Sequence, residues 1–251
     1  MAIPRTAVIL AAGMGTRLRA EWQSRPKGFL RLGERPIIEE SLDKLHRAGI
    51  DRVLIVTGHC NESYDELALR SDGFVETVHN SLYRDSGSMY SLYLLKDKID
   101  EDFLLLESDL IYEQRALTST IAFPHDNCVL VSGFTHSGDE VFVELAAGRL
   151  VHMSKDRAEL GEISGELVGI TKVSTQLFSR MLATAEELFE DDLRKDYETD
   201  CLVATARYYP VYGQLVDDLI WAEIDDAGHL ERARALVYPR LSRLDTGPLE
   251  A

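Results

Sequence analysis

The chain has 251 residues, 45% of them hydrophobic, and 27 basic against 43 acidic side chains for a net charge of −16. That length and apolar share suit one large α/β domain with a substantial core, while so acidic a surface repels nucleic acid and anionic membranes. No apolar run approaches a membrane span, the N-terminus lacks a secretory apolar core, and Cys60, Cys128 and Cys201 have no CxxC spacing, so the expectation is a cytoplasmic protein with reduced thiols, no disulfide framework and no membrane insertion.

In chain order the elements alternate. "TAVILAA" (6–12) is a short apolar run suited to a buried parallel strand. "RPIIEESLDKLHRAGI" has helical spacing, with Pro36 in the first turn and Gly49 at the end. "DRVLIVTG" is a second buried strand, "NESYDELALRS" a helix opened by an asparagine cap, and "FVETVHN" a third strand. "SGSMYSLYLLKDKI" reads as a helix, and "DFLLLESDL" and "NCVLVSGF" as strands. The plan then changes. "DEVFVELAAGRLVHMSK" is a hairpin joined at Ala-Gly, followed by the strand "GELVGITKVS" and the helix "TQLFSRMLATAEELFEDDLR". The tail holds a helix at 199–207, short strands in "YYPVYGQL" and "LIWAEI", and a last helix, "DAGHLERARALV". The expected fold is α/β, a Rossmann-like, mostly parallel sheet with helices on both faces. It forms a single domain over 1–251 with a small hairpin insertion at about 139–155.

The first strand ends in two glycines, a threonine and an arginine, "LAAGMGTRL" (10–18). Open α/β sheets bind ligands beyond the carboxyl ends of their strands, and glycines let successive backbone N–H groups approach phosphate oxygens. The turn lacks the lysine of a Walker loop, and Leu18 stands where a dinucleotide fingerprint needs a third glycine. Charge is uneven here. Residues 1–35 carry Arg5, Arg17, Arg19, Arg25, Lys27, Arg31 and Arg35 against Glu21 and Glu34, whereas 182–226 hold thirteen acids and three bases. A cationic segment on an acidic protein suits a small anionic ligand, or is a solvated loop.

The run L-A-A-G-M-G-T-R followed by Pro26-Lys27 resembles the signature of the sugar-nucleotide pyrophosphorylase-like nucleotidyltransferases, G-x-G-[TS]-R then P-K, matching at Gly13, Gly15, Thr16, Arg17, Pro26 and Lys27. "GFLRLGERPIIEESLDKL" and "SMYSLYLL" look most like the cytidylyltransferases of small amino-alcohol headgroups, which act on phosphocholine or 2-aminoethylphosphonate. The resemblance implies attack of a phosphate or phosphonate oxygen on the α-phosphorus of CTP, with departure of pyrophosphate. The enzyme's part is positioning and charge neutralisation.

In that reading Leu10, Ala12, Gly13, Met14, Gly15 and Thr16 bind the nucleotide, Arg17 clamps the β and γ phosphates, and Lys27 lies near the α-phosphate. Mg²⁺ is the implied cofactor, held by Asp109 (also at the nucleotide) and Asp225, with Glu223 a weaker candidate. Asp225 and Asp226 also suit a helix N-cap, and Ser86 and Ser88, expected at the pyrimidine edge, also suit one.

For the acceptor, a quaternary ammonium needs an aromatic cage. The place where phosphocholine relatives carry Tyr-Trp-Asp/Glu reads Asp196-Tyr197-Glu198-Thr199-Asp200, and Trp22 and Trp221 lie elsewhere. Tyr197, Glu198 and Asp200 suit a primary ammonium, and Lys155 its phosphonate, while Asp139 and Glu140 could also reach the amine. The seven histidines, His229 among them, pair with no ligand-spaced partner and read as surface or packed residues. The expected reaction is CMP transfer to 2-aminoethylphosphonate, feeding phosphonolipid or phosphonoglycan synthesis. The alternatives are phosphocholine, phosphoethanolamine or a sugar 1-phosphate as acceptor, or a non-catalytic nucleotide-binding regulator. The partners implied are these small molecules, with a homodimer as the assembly seen among related enzymes.

Overall fold

Strand β1 (Thr6–Ala11) is buried at every position, and its alternating side chains feed two cores. Ala7, Ile9 and Ala11 point to one face, Val8 and Leu10 to the other. The molecule is a computed structural model describing residues 3–18 and 25–245, so Arg19, Glu21 and Trp22 of the sequence reading lie outside the described residues. On the first face pack helices α1 (Ile37–Arg47), α2 (Glu62–Leu69) and α4 (Gln114–Ala122), through Ile38, Leu42, Leu45, Tyr64, Ala116 and Leu117. On the second pack α3 (Ser88–Tyr93), α5 (Thr175–Phe189) and the turn Tyr197–Leu202 leading into α6 (Val203–Ala206). Each large aliphatic side chain so enclosed contributes about 1.5–3 kcal/mol relative to exposure.

The βα plan produces a parallel block in which β1 lies between β2 (Arg52–Thr57) and β4 (Phe103–Glu107), with β3 (Val75–His79) outside β2. Beyond β4 the directions mix. The eleven-residue β9 (Ile163–Val173) runs antiparallel to both β4 and β6 (Cys128–Ser132), while β10 (Tyr212–Val216) runs parallel to β6. The hairpin is β7 (Phe142–Ala146) and β8 (Arg149–Ser154), turning at Ala147-Gly148. It is stitched into the main sheet: β8 pairs with β10 at Arg149↔Tyr212, and β7 pairs with β9 at three positions. The nine strands therefore run β3-β2-β1-β4-β9-β6-β10-β8-β7, with β7 returning to β9 and closing a ring of five. Gly169, at φ +78, sits in β9 where the register with β6 slips, and this bulge bends the long strand.

A second small sheet pairs β5 (Leu110–Tyr112) with β11 (Trp221–Glu223). It belongs to a third core with α7 (Ala227–Arg232) and the helical turns running on to α8 (Tyr238–Asp245), in which Leu18, Leu30 and Ile37 meet Ile224, Leu230 and Leu241. The tail thus folds back over the glycine turn. One local expectation changes: Asn61 is itself helical and bonds Asp65 instead of capping α2. Helix α4 forms in a stretch for which no element was predicted.

Candidate active site

The strand order β3-β2-β1-β4 reverses direction of growth at β1, and such switch points open a crevice beyond the strands' carboxyl ends. A cleft of about 340 Å³ lies there. The β1 turn lines it with Leu10, Ala12, Gly13 and Arg17, β4 with Glu107 and Asp109, the α3 start with Ser86, Ser88 and Ser91, and the tail with Glu223 and Asp225. Gly15 takes φ +61, which a side chain would oppose, and its carbonyl accepts the Leu18 N–H at 3.1 Å to fold the turn. Met14 and Thr16 are exposed and do not border the cleft.

Lys27 is the electrostatic centre. Its Nζ donates to Asp109 Oδ2 at 2.7 Å and to Asp225 Oδ1 at 2.5 Å, joining residues 82 and 198 positions away. Its side chain is only 15% exposed, so this is an interior ion triad and not a surface lysine. Burial works against the ammonium, but Asp109 and Asp225 outweigh it and raise its pKa. Burial likewise opposes the Asp225 charge, yet Lys27 and Arg17 hold that carboxyl below its usual range. Arg17 reaches Asp225 with one nitrogen at 2.8 Å and Asp139 with the other at 2.8 Å, and Lys155 Nζ meets Asp139 at 2.9 Å. Asp139 thus bridges two cations predicted to face phosphates.

Glu107, Asp109 and Glu223 offer carboxylate oxygens within 4.8 Å of one another. Three hard oxygen donors suit Mg²⁺. Their crowding also asks for a cation: burial, then Glu107, Asp109 and Asp225, push Glu223 up to about 10, and burial followed by Glu198 raises Glu107. The sequence reading named Asp109 and Glu223 for this role and did not name Glu107, which stands with them here. Asp225, its other choice, is bound to Lys27 and Arg17. The helix-cap function falls to Asp226, whose Oδ1 accepts the His229 N–H at 2.8 Å.

A smaller cavity, about 60 Å³, adjoins the cleft and shares Glu107, Lys155, Glu198 and Glu223 with it. Its other walls include Thr135, Asp139, Glu140, Trp221, His229 and Arg232. Glu198 Oε2 is shielded from solvent with no hydrogen-bond partner among the described residues, and burial, then Asp196, push this carboxyl up to about 8. The companions expected beside Glu198 lie elsewhere. Tyr197 is fully buried with its hydroxyl donating to Glu107 Oε1 at 3.2 Å, a support for the carboxylate cluster. Asp200 accepts the Asp196 N–H at 2.8 Å and borders neither cavity. Two residues set aside in the sequence reading do border the small cavity, Trp221 and His229; only their meeting with Glu198 in space reveals them.

Ser86 and Ser88 border the cleft, but Gly87 is the N-cap of α3 and neither serine caps it. Ser86 donates to the Leu82 carbonyl at 2.9 Å. Ser88 accepts the Tyr197 N–H at 2.9 Å and donates to Asp196 at 3.2 Å, tying the two walls together.

Residues 7–157 match the MobA-like NTP transferase domain. The chain is 30% identical over 154 residues to the choline-phosphate cytidylyltransferase of Streptococcus pneumoniae, covering 58% of this chain and 66% of that one. It is 26% identical over 235 residues to the 2-aminoethylphosphonate cytidylyltransferase of Lancefieldella rimae, covering 89% of each. Two further curated relatives are longer, and the chain spans 38% and 51% of their lengths. Among solved structures, the inositol-1-phosphate CTP transferase from T. maritima superposes with a TM-score of 0.83 at 20% identity over 98% of both chains. Among the described residues no helix is long and apolar enough to cross a membrane. With the glycine turn, the β1/β4 crevice and this match over more than half its length, the chain belongs to the MobA-like NTP transferase family and has the nucleotide-diphospho-sugar transferase fold.

Proposed function

We propose that this protein is a cytidylyltransferase that moves CMP from CTP to 2-aminoethylphosphonate. A phosphonate oxygen attacks the α-phosphorus, the bond from that phosphorus to the bridging oxygen breaks, and pyrophosphate leaves with the electron pair. The Gly13 backbone N–H and the Arg17 fork, both on the cleft wall, hold the triphosphate, and Lys27 neutralises charge growing at the α-phosphate. Binding of nucleotide takes Arg17 from Asp139. Asp109, Glu223 and Glu107 would hold Mg²⁺, which when bound supplies further neutralisation of the leaving group. Tyr197 orients Glu107 within that set.

One observation carries the choice of acceptor: the unpartnered Glu198 oxygen in a small cavity beside the cleft. A buried carboxylate with no partner is costly, and a primary ammonium gives it a charge-assisted hydrogen bond. Lys155, which borders both cavities, is suited to the acceptor's phosphonate. The 2-aminoethylphosphonate and choline-phosphate names of the relatives support an amino-alcohol-type headgroup. A second reading, phosphocholine, draws on Trp221, an aromatic wall in that cavity.

The test is pyrophosphate release from CTP with 2-aminoethylphosphonate, phosphocholine, phosphoethanolamine and a sugar 1-phosphate in turn. The expected result is release with the first and none after EDTA. Preference for phosphocholine, lost in Trp221→Leu, supports the second reading. Release only with the sugar phosphate overturns both.

A further inference from the structure

Asn80 belongs to none of the roles above, yet it is completely buried at the end of β3, beside the cleft wall formed by Ser86 and Ser91. Its amide orientation is fixed by chemistry. The Leu82 backbone N–H, which can only donate, meets Oδ1 at 2.9 Å. Nδ2 must therefore face the serines, and it donates to Ser86 Oγ and Ser91 Oγ at 3.0 Å each. Ser86 passes its own hydrogen to the Leu82 carbonyl. Ser91 is 2% exposed, and its hydroxyl hydrogen has no acceptor among the described residues.

We infer that Asn80 is a positioning residue that sets hydrogen-bond polarity on the base-facing wall, making Ser91 a donor toward an acceptor atom of the nucleobase. Because Asn80 occupies the Ser91 oxygen from behind, the hydroxyl is left to donate into the cleft. Cytosine presents O2 and N3 as acceptors, so a donor wall matches it. Uracil replaces the N3 lone pair with an N–H. This inference rests on the cytidine reading above. It identifies Asn80 and Ser91, and not the already engaged Ser86 and Ser88 hydroxyls, as the side-chain source of base recognition.

The test measures dissociation constants of CTP and of inorganic tripolyphosphate for the full chain by calorimetry. Ser91→Ala is expected to weaken CTP by about 3- to 10-fold, the worth of one net hydrogen bond, with tripolyphosphate unchanged. Ser91→Thr, which keeps the hydroxyl, is expected to retain most of the affinity. Asn80→Asp turns the partner into an acceptor, draws the Ser91 hydrogen backward, and is expected to weaken CTP by a similar factor. In the double variant the two losses do not add. Wild-type CTP affinity in Ser91→Ala, or additive losses in the double variant, overturns the inference. Should Asn80→Asp not fold, as judged by circular dichroism, Ser91→Ala decides, because the inference requires a loss there that tripolyphosphate does not share. If the unaltered protein holds tripolyphosphate as tightly as CTP, the cytidine reading itself fails, an outcome distinct from failure of the Ser91 role alone.

Discussion

The cleft and the small cavity share a wall but differ in what each adds to it. The cleft takes Gly13, Arg17 and Asp109 from the turns that follow β1 and β4 and Lys27 from a short 3-10 helix, all inside the 7–157 family match, with Glu223 and Asp225 added from the tail. The small cavity draws Glu198, Trp221, His229 and Arg232 from beyond that match, on elements that meet only after the tail folds back. In the reading proposed above, the nucleotidyl-transfer chemistry is thus held by backbone geometry and short motifs, while the end assigned to the acceptor is a mosaic of single side chains. Such a mosaic can change one residue at a time without disturbing the strand ends.

The sharpest way to break this contrast is to attack the shared machinery. Removing divalent ions with EDTA is expected to abolish pyrophosphate release, with recovery on adding Mg²⁺; turnover that survives chelation would detach Glu107, Asp109 and Glu223 from a metal role. Next, Lys27→Ala is expected to lower kcat by about 10²–10³, as loss of one oxyanion-stabilising donor does. It also leaves two buried carboxylates facing each other, at a cost of about 3 kcal/mol in urea unfolding. Wild-type kcat would remove Lys27 from the chemistry.

Changes in the mosaic should be smaller and one-sided. Glu198→Gln is expected to raise the acceptor KM by about 10-fold or more, the worth of a hydrogen bond to a charged group, while the CTP dissociation constant stays fixed; equal changes for both substrates would erase the division between the cavities. The smallest effect is expected at the seam. Asp139→Asn releases Arg17 and Lys155 from a half-exposed ion pair worth about 1 kcal/mol at most, so CTP should bind a few-fold more tightly. Weaker CTP binding would mean that Asp139 organises Arg17 and does not compete for it.

Legibility in the sequence follows the same division. β1, β2 and β4 could be read from apolar runs bounded by glycine or charge, and the hairpin from its Ala-Gly turn, because local pattern decides them. The direction of β9 could not, since an antiparallel strand buried between neighbours has the same apolar run as a parallel one. In the site, Arg17 and Lys27 were named through a short two-part motif, and the structure brings both to the cleft. Glu107 was passed over beside Asp109, and Tyr197 was read as a ligand residue because its neighbours are acidic, although its own ring is in the core. Trp221 and His229 gave no local signal: one opens the short strand β11 and the other sits in the capped first turn of α7, and their common cavity exists only in three dimensions.

The return of β7 onto β9 has a consequence for how copies of the chain can meet. An exposed strand rim is a template for a neighbour's backbone, and a sheet curled back on itself offers none. At the open end of the described sheet β3 keeps an unclaimed flank, while in the ring β10 meets β8 at the single position Tyr212↔Arg149. Strand β3 is short, with Glu76 and His79 exposed and Glu76 paired to Arg52. A neighbour's backbone meeting the sheet at β3 would therefore find a short, charged rim, which opposes runaway stacking there.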